Sequence, residues 1–188
     1  MRLVLLGAPG SGKGTQGVVL AEHFGVPHVS SGDLLRSHVA AGTDLGRQID
    51  DCLTRGELVP DDLVLTAIGD AVVVATESGG YVLDGFPRTL AQAGRAYELA
   101  EPAGLTADAV VYLAVPDEAA RERLAGRASG GRTDDANADV IDRRLRLFHA
   151  ETQPLLEYYQ ERGILVTIDG AQAPAEVSAA IFVALAAR

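Results

Sequence analysis

A single cysteine, Cys52, is all the thiol chemistry that this chain of 188 residues carries. One cysteine excludes an internal disulfide and any CxxC metal site, and it fits a reducing compartment. Basic charge is also scarce: 16 Lys and Arg stand against 26 Asp and Glu, a formal net charge of −10. Phosphate backbones need basic surface, so nucleic acid is excluded as a general partner. No run of about 18 apolar residues offers a membrane span, and no N-terminal signal segment is visible, because a strand-like run starts almost at once. The expected setting is the cytoplasm. Internal repeats, low-complexity tracts and interdomain linkers are absent as well. What remains is 47% hydrophobic and 22% charged, the composition of a globular chain of one domain with a core large enough to fold unaided.

Residues 3–15 read LVLLGAPGSGKGT. Leu3, Val4, Leu5 and Leu6 suit a strand buried on both faces. Gly7, Gly10, Gly12 and Gly14 then allow the backbone to wrap a ligand closely, and Thr15 to Phe24 reads as a helix. The free N–H groups and positive dipole end of that helix face the loop, which makes an anion site. Lys13 adds a mobile positive charge. The spacing from Gly7 to Gly12 and Lys13, with a strand before and a helix after, is that of the phosphate-cradling P-loop. The generic pattern places Ser or Thr after the lysine to hold magnesium, whereas this chain has Gly14 there and a hydroxyl one residue later, at Thr15.

Further strand-like runs fall at Val26–Val29, Tyr81–Leu83, Ala109–Leu113 and Ile164–Ile168. Most are short, β-branched and continuously apolar, as in a parallel sheet covered on both faces, and helical patterns lie between them. The expected fold is therefore α/β with a parallel five-stranded sheet. Two segments fit this core poorly. Residues 30–59 read as two short helical pieces inserted between the second and third strands. Residues 126–136, GRASGGRTDDA, have no periodicity and read as a surface loop of the kind that forms lids.

Three further segments carry chemistry. In YVLDGFPRT, Tyr81 to Thr89, a buried strand ends in Asp84, at the sheet edge where ligands bind in open α/β folds. Arg88 then falls near the start of the next helix, where a cation opposes the dipole unless an anion lies against it. In VSSGDLLR, Val29 to Arg36, Ser30 or Ser31 can cap a helix and Asp33 can complement its first turn. Arginines cluster around the loop: Arg123, Arg127, Arg132, Arg143 and Arg144. Arg123 and Arg127 share a helix face. Phasing the next helix at about 100° per residue puts Arg144 within the apolar stripe of Val140, Ile141, Leu145 and Phe148, while Arg143 and Arg146 point away. A guanidinium on a core-facing stripe needs a partner, either a core carboxylate or a phosphate.

Together the segments GAPGSGKGTQ (Gly7 to Gln16), SGDLLR, GELVP and DGFPRT resemble those of the adenylate kinase family of nucleoside monophosphate kinases, in order and over nearly the whole chain. The resemblance implies a three-layer α/β/α P-loop kinase that transfers phosphoryl from Mg·ATP to AMP, giving two ADP. It implies a core of residues 1–29, 60–125 and 137–188, a monophosphate-binding insertion over 30–59 and a short lid over 126–136. By the same likeness, Gly10, Ser11, Gly12, Lys13, Gly14 and Thr15 would hold ATP, with Arg123, Arg127 and the backbone near Gln172. Ser31, Arg36, Glu57, Leu58, Val59, Gly85, Phe86, Pro87, Arg88 and Gln92 would hold AMP. Arg132 and Arg144 would span the transferred phosphoryl. Asp84, with Asp33, would orient magnesium through waters, and no zinc is expected because the lid is the short form. The expected partners are ATP, AMP and ADP alone, with no membrane, and the expected state is a monomer.

Departures from the family pattern are few. DDANADV carries one residue more than the usual spacing, which leaves the register of Arg132 against Arg144 open by one. Ser31 stands where the family most often has Thr. A UMP/CMP kinase shares the P-loop and DGFPR segments, but Gln92 and Thr89 favour AMP. A sensor that has lost catalysis is disfavoured, since every arginine expected for transfer is present.

Overall fold

The computed structural model describes residues 1–128 and 137–188. Five parallel strands form one sheet in the order β2-β3-β1-β4-β5: β1 is Arg2–Gly7, β2 His28–Ser30, β3 Tyr81–Asp84, β4 Ala109–Ala114 and β5 Leu165–Asp169. The chain runs from β1 to β2 and β3 on one side, then crosses to β4 and β5 on the other. The reversal at β1 opens a crevice at the carboxyl edge of the sheet, where open α/β folds bind ligands.

The apolar strands are buried on both faces because side chains alternate. Val4 and Leu6 join Val29, Leu83 and Val110 in one core cluster. Leu3 and Leu5 join Val82, Val111 and Leu113 in the other. The second cluster is covered by α1 (Lys13–Phe24) and α9 (Pro174–Ala186), through Leu20, Val177 and Ile181. The first is covered by α4 (Asp61–Glu77), α5 (Leu90–Ala100) and α8 (Leu155–Glu161), through Val64, Ile68, Ala93 and Leu155. Three layers result, as the sequence reading expects.

The segment 30–59 forms two helices, α2 (Ser31–Ala40) and α3 (Asp44–Arg55). Each has a hydroxyl cap: Ser30 Oγ accepts from the N–H of Asp33, and Thr43 Oγ1 from that of Gly46. The capping residue of α2 is thus Ser30, which leaves Ser31 to another role. After β4, α6 (Asp117–Ala128) and α7 (Ala138–Leu147) flank the expected lid. The structure extends α6 through Gly126–Ala128, so the aperiodic segment begins later than the sequence reading sets it. A π-helical turn, Phe148–Thr152, continues α7 and places Phe148 and Thr152 on the inner side.

Candidate active site

The loop between β1 and α1 is shaped by where its backbone must pass. Gly10 has φ of +83°, and a Cβ there would lie 2.5 Å from the carbonyl oxygen of Ala120 on α6. No other residue type meets both conditions. The loop closes through the N–H of Ser11 on the Ala8 carbonyl at 3.0 Å. Lys13 Nζ lies over it, donating to the carbonyls of Gly7 at 2.7 Å and Ala8 at 3.0 Å. Its cation is thereby held on the inner rim of the crevice, above the helix N-terminus that attracts anions.

Asp84 ends β3 between Leu5 of β1 and Ser30 of β2, and it is 9% exposed. A Cβ built on Gly14 would lie 3.8 Å from Asp84 Oδ2, an ordinary contact. Gly14 therefore faces the carboxylate across a gap, and the missing hydroxyl leaves room beside Asp84. Among the described residues no three His, Cys, Asp or Glu side chains gather as a metal site. Asp84 and Asp33, both at the cavity wall, are hard oxygen donors that suit magnesium brought in with phosphates and water.

Opposite the P-loop, guanidiniums converge. A cavity of about 320 Å³ is lined by Lys13, Asp33, Arg36, Asp84, Arg88 and Arg144, among others. Burial pushes the pKa of Arg88 below the usual guanidinium range, and the charges of Arg144 and Arg36 act in the same direction, against Asp84. Arginine keeps its proton regardless, so three like charges share one field in a protein of net charge −10. With the Asp33 and Asp84 carboxylates at the same wall, the cluster can present several guanidinium donors to one phosphate. Arg36 Nη2 donates to Asp33 Oδ1 at 2.5 Å. Arg88 Nε donates to the Gly85 carbonyl at 2.8 Å. Arg144 is half-buried on α7, on the side the helical phasing requires.

A second pocket of about 20 Å³ adjoins the first and shares Leu53, Glu57, Leu58, Gly85 and Arg88 with it. Ser31, Val59 and Gln92 complete its wall. Ser31 is 1% exposed, and its Oγ is buried without a hydrogen-bond partner. Buried hydroxyls in native proteins are almost always satisfied, so this one points to a ligand. Pro87, joined to Phe86 by a cis peptide bond, lines the larger cavity, whereas Phe86 lines neither pocket and is buried in the first core cluster.

Other expected residues lie elsewhere. Arg123 is absent from the cavity wall; it bridges the carbonyls of Gly170 at 2.9 Å and Ala171 at 3.2 Å. Gln172 is exposed and donates to Asp169 Oδ2 at 3.2 Å. These contacts tie α6 to the loop after β5, on the P-loop side of the crevice. The Glu57 carboxylate accepts from Arg55 and from Arg143 on α7, so its side chain joins the inserted arm to the lid-flanking helix. The side chain of Arg127 and the whole of Arg132 lie outside the described residues. Sequence reasoning missed Asp61 and Thr152. Asp61 Oδ1 accepts from Gln92 at 2.6 Å, and Thr152 Oγ1 donates to the Arg88 carbonyl at 2.8 Å. No local motif marks either; Asp61 reads as an ordinary acidic residue in a helix's first turn.

A P-loop on one wall and a separate set of arginines on the other share one cavity, an arrangement suited to two phosphates. That arrangement defines the nucleoside monophosphate kinases, P-loop phosphotransferases with an acceptor as well as a donor site. The family model for adenylate kinase matches residues 5–164. The chain is 43% identical over 184 residues to an adenylate kinase of Parvibaculum lavamentivorans, covering 96% of this chain and 90% of that one. Against an adenylate kinase of Xylella fastidiosa (strain M23) the identity is 44% over 185 residues, covering 98% and 99%. An adenylate kinase of Xanthomonas euvesicatoria pv. vesicatoria is 45% identical over 170 residues, 90% of this chain and 91% of its own. The chain belongs to the adenylate kinase family.

Proposed function

We propose that this enzyme transfers the terminal phosphoryl of Mg·ATP to AMP, reversibly, through the residues gathered in the crevice. The convergence of Arg36, Arg88 and Arg144 on one cavity opposite Lys13 carries the reading. Phosphoryl transfer asks for positioning and charge neutralisation more than for covalent chemistry. The P-loop N–H groups from Gly10 to Thr15 cradle the donor phosphates, and Lys13 turns from its loop carbonyls to follow them. Arg36 and Arg88 hold the acceptor phosphate. Arg144, with Arg123 and Arg132, neutralises charge on the moving group, and Arg127 assists at ATP. Asp84 and Asp33 would hold magnesium through water, and the ion would supply charge neutralisation on the phosphates. No side chain is needed as a general base.

The pocket beside Ser31 and Gln92 takes the acceptor base, with Gln92 on its edge and the backbone of Glu57, Leu58 and Val59 alongside. At about 20 Å³ it has room for little more than a water molecule. The 30–59 arm must therefore move outward for a base to enter and return to exclude water. Residues 126–136, of which 129–136 lie outside the described residues, would close as a lid over ATP, because an open site would hydrolyse it. The enzyme works as a monomer in the cytoplasm; among the described residues no helix is long and apolar enough to cross a membrane.

Lys13→Met tests the assignment of the P-loop. Turnover should fall about 100-fold or more, with an unchanged circular dichroism spectrum. Near-normal turnover would sink the proposed donor site.

A further inference from the structure

Gln92 is 2% exposed, and both ends of its amide are engaged. The backbone N–H of Arg88 donates to its Oε1 at 2.7 Å, and its Nε2 donates to Asp61 Oδ1 at 2.6 Å. Each partner has one possible sign: a backbone N–H only donates, and an ionised carboxylate only accepts. Turning the amide over would set N–H against N–H and oxygen against oxygen, so its orientation is fixed by chemistry.

A carboxamide has two lone pairs on oxygen and two N–H groups. One of each is engaged here, and one of each is left. The remaining lone pair and N–H complement a base edge with a donor beside an acceptor, the pattern of a 6-aminopurine. A 6-oxopurine offers the reverse, an oxygen beside an N–H. A glutamine free to rotate by half a turn reads either pattern equally well. Selectivity therefore belongs to whatever prevents the turn. The Arg88 anchor is backbone and persists whatever the side chain; the charged anchor, from the first turn of α4, is Asp61.

We infer that Asp61 is a specificity-determining positioning residue, which locks the Gln92 amide so that the site accepts 6-aminopurine monophosphates and rejects 6-oxopurine ones. The inference rests on the proposal that Gln92 meets the acceptor base. It makes the preference for AMP a property of the Asp61–Gln92–Arg88 chain rather than of Gln92 alone.

The test compares kcat and KM for AMP and for inosine monophosphate, which differ only in the 6-substituent and its proton. Asp61→Ala should cut the preference for AMP about tenfold or more, the scale of a charge-assisted hydrogen bond, mainly through a higher KM for AMP. Asp61→Asn keeps an acceptor oxygen for Nε2 and should retain most of the preference. Asp62→Ala removes a carboxylate from the same helical turn without touching Gln92, and it should leave the preference unchanged. Should Asp61→Ala fail to fold, Asp61→Ser keeps a polar residue with a shorter reach and should lose the preference likewise. An unchanged preference in Asp61→Ala or Asp61→Ser, with the preference lost in Gln92→Ala, overturns the inference and leaves the Gln92 reading standing. An unchanged preference in Gln92→Ala overturns both.

Discussion

Thr152 Oγ1 donates to the backbone carbonyl of Arg88 at 2.8 Å, joining residues 64 positions apart in sequence. The N–H of Arg88 is held by Gln92, and its Nε by the Gly85 carbonyl. Arg88 is thus fixed at its N–H, its carbonyl and its side chain by three different elements. A guanidinium meant to meet a phosphate in one geometry gains from such fixing, because less freedom is lost when the ligand binds.

Thr152→Val keeps the shape of the side chain and removes the donor, leaving the Arg88 carbonyl short of a partner. Stability should fall by about 1–2 kcal/mol, and KM for AMP should rise several-fold. Thr152→Ser should restore both. Denaturant melts and steady-state kinetics with AMP varied would check the pair; two unchanged quantities in Thr152→Val would contradict the anchoring role.

Two glycine substitutions should differ in sign. Gly85 has φ of +79°, and an added Cβ would lie 2.5 Å from Ser31 Oγ. Gly85→Ala should lose about 1–3 kcal/mol from backbone strain alone. Gly69, exposed within α4, has no heavy atom within 4 Å of such a Cβ, so Gly69→Ala should gain about 0.5–1 kcal/mol. Thermal melts of the two variants should move in opposite directions.

His149 carries a pH dependence. Its Nδ1 meets Gln153 Oε1 at 2.8 Å and its Nε2 meets Asp117 Oδ1 at 2.9 Å, so the π-helical turn is tied to the start of α6. The bond to Gln153, then that to Asp117, raise its pKa above the ordinary imidazole value. A group whose folded pKa is raised contributes stability below its unfolded pKa and loses it as pH rises through the folded one. The wild type should therefore exceed His149→Gln in stability most clearly below about pH 6.5, the ordinary imidazole value, with the difference shrinking as pH rises past it. A difference that is constant or grows with pH would contradict the pairing. The effect should be small, since His149 is partly exposed to solvent screening.

Much of this site is legible in sequence because its signals are local. The P-loop follows from glycine spacing between an apolar strand and a helix, and Arg144 from helical phasing against Ile141 and Leu145. The two readings of Ser30 and Ser31 divide in the structure: Ser30 caps α2, and Ser31 keeps an unpaired hydroxyl in the pocket. The extent of α6 is less legible, since Gly126 in GRA weakens the helical pattern, yet the helix continues to Ala128. Asp61 and Thr152 are invisible beforehand, because each acts on a residue brought near only by tertiary packing. The direction of Arg123 is likewise set by the loop after β5, a contact 47 positions away.

If the cavity beside Arg88 takes AMP and the crevice transfers phosphoryl to it, the identity of the acceptor sets the rate. A coupled assay with Mg·ATP, offering AMP, UMP, CMP and GMP in turn, measures that dependence. ADP should form rapidly with AMP and far more slowly with the other three. Equal rates with UMP and AMP, or no transfer to any acceptor, would contradict AMP as the acceptor.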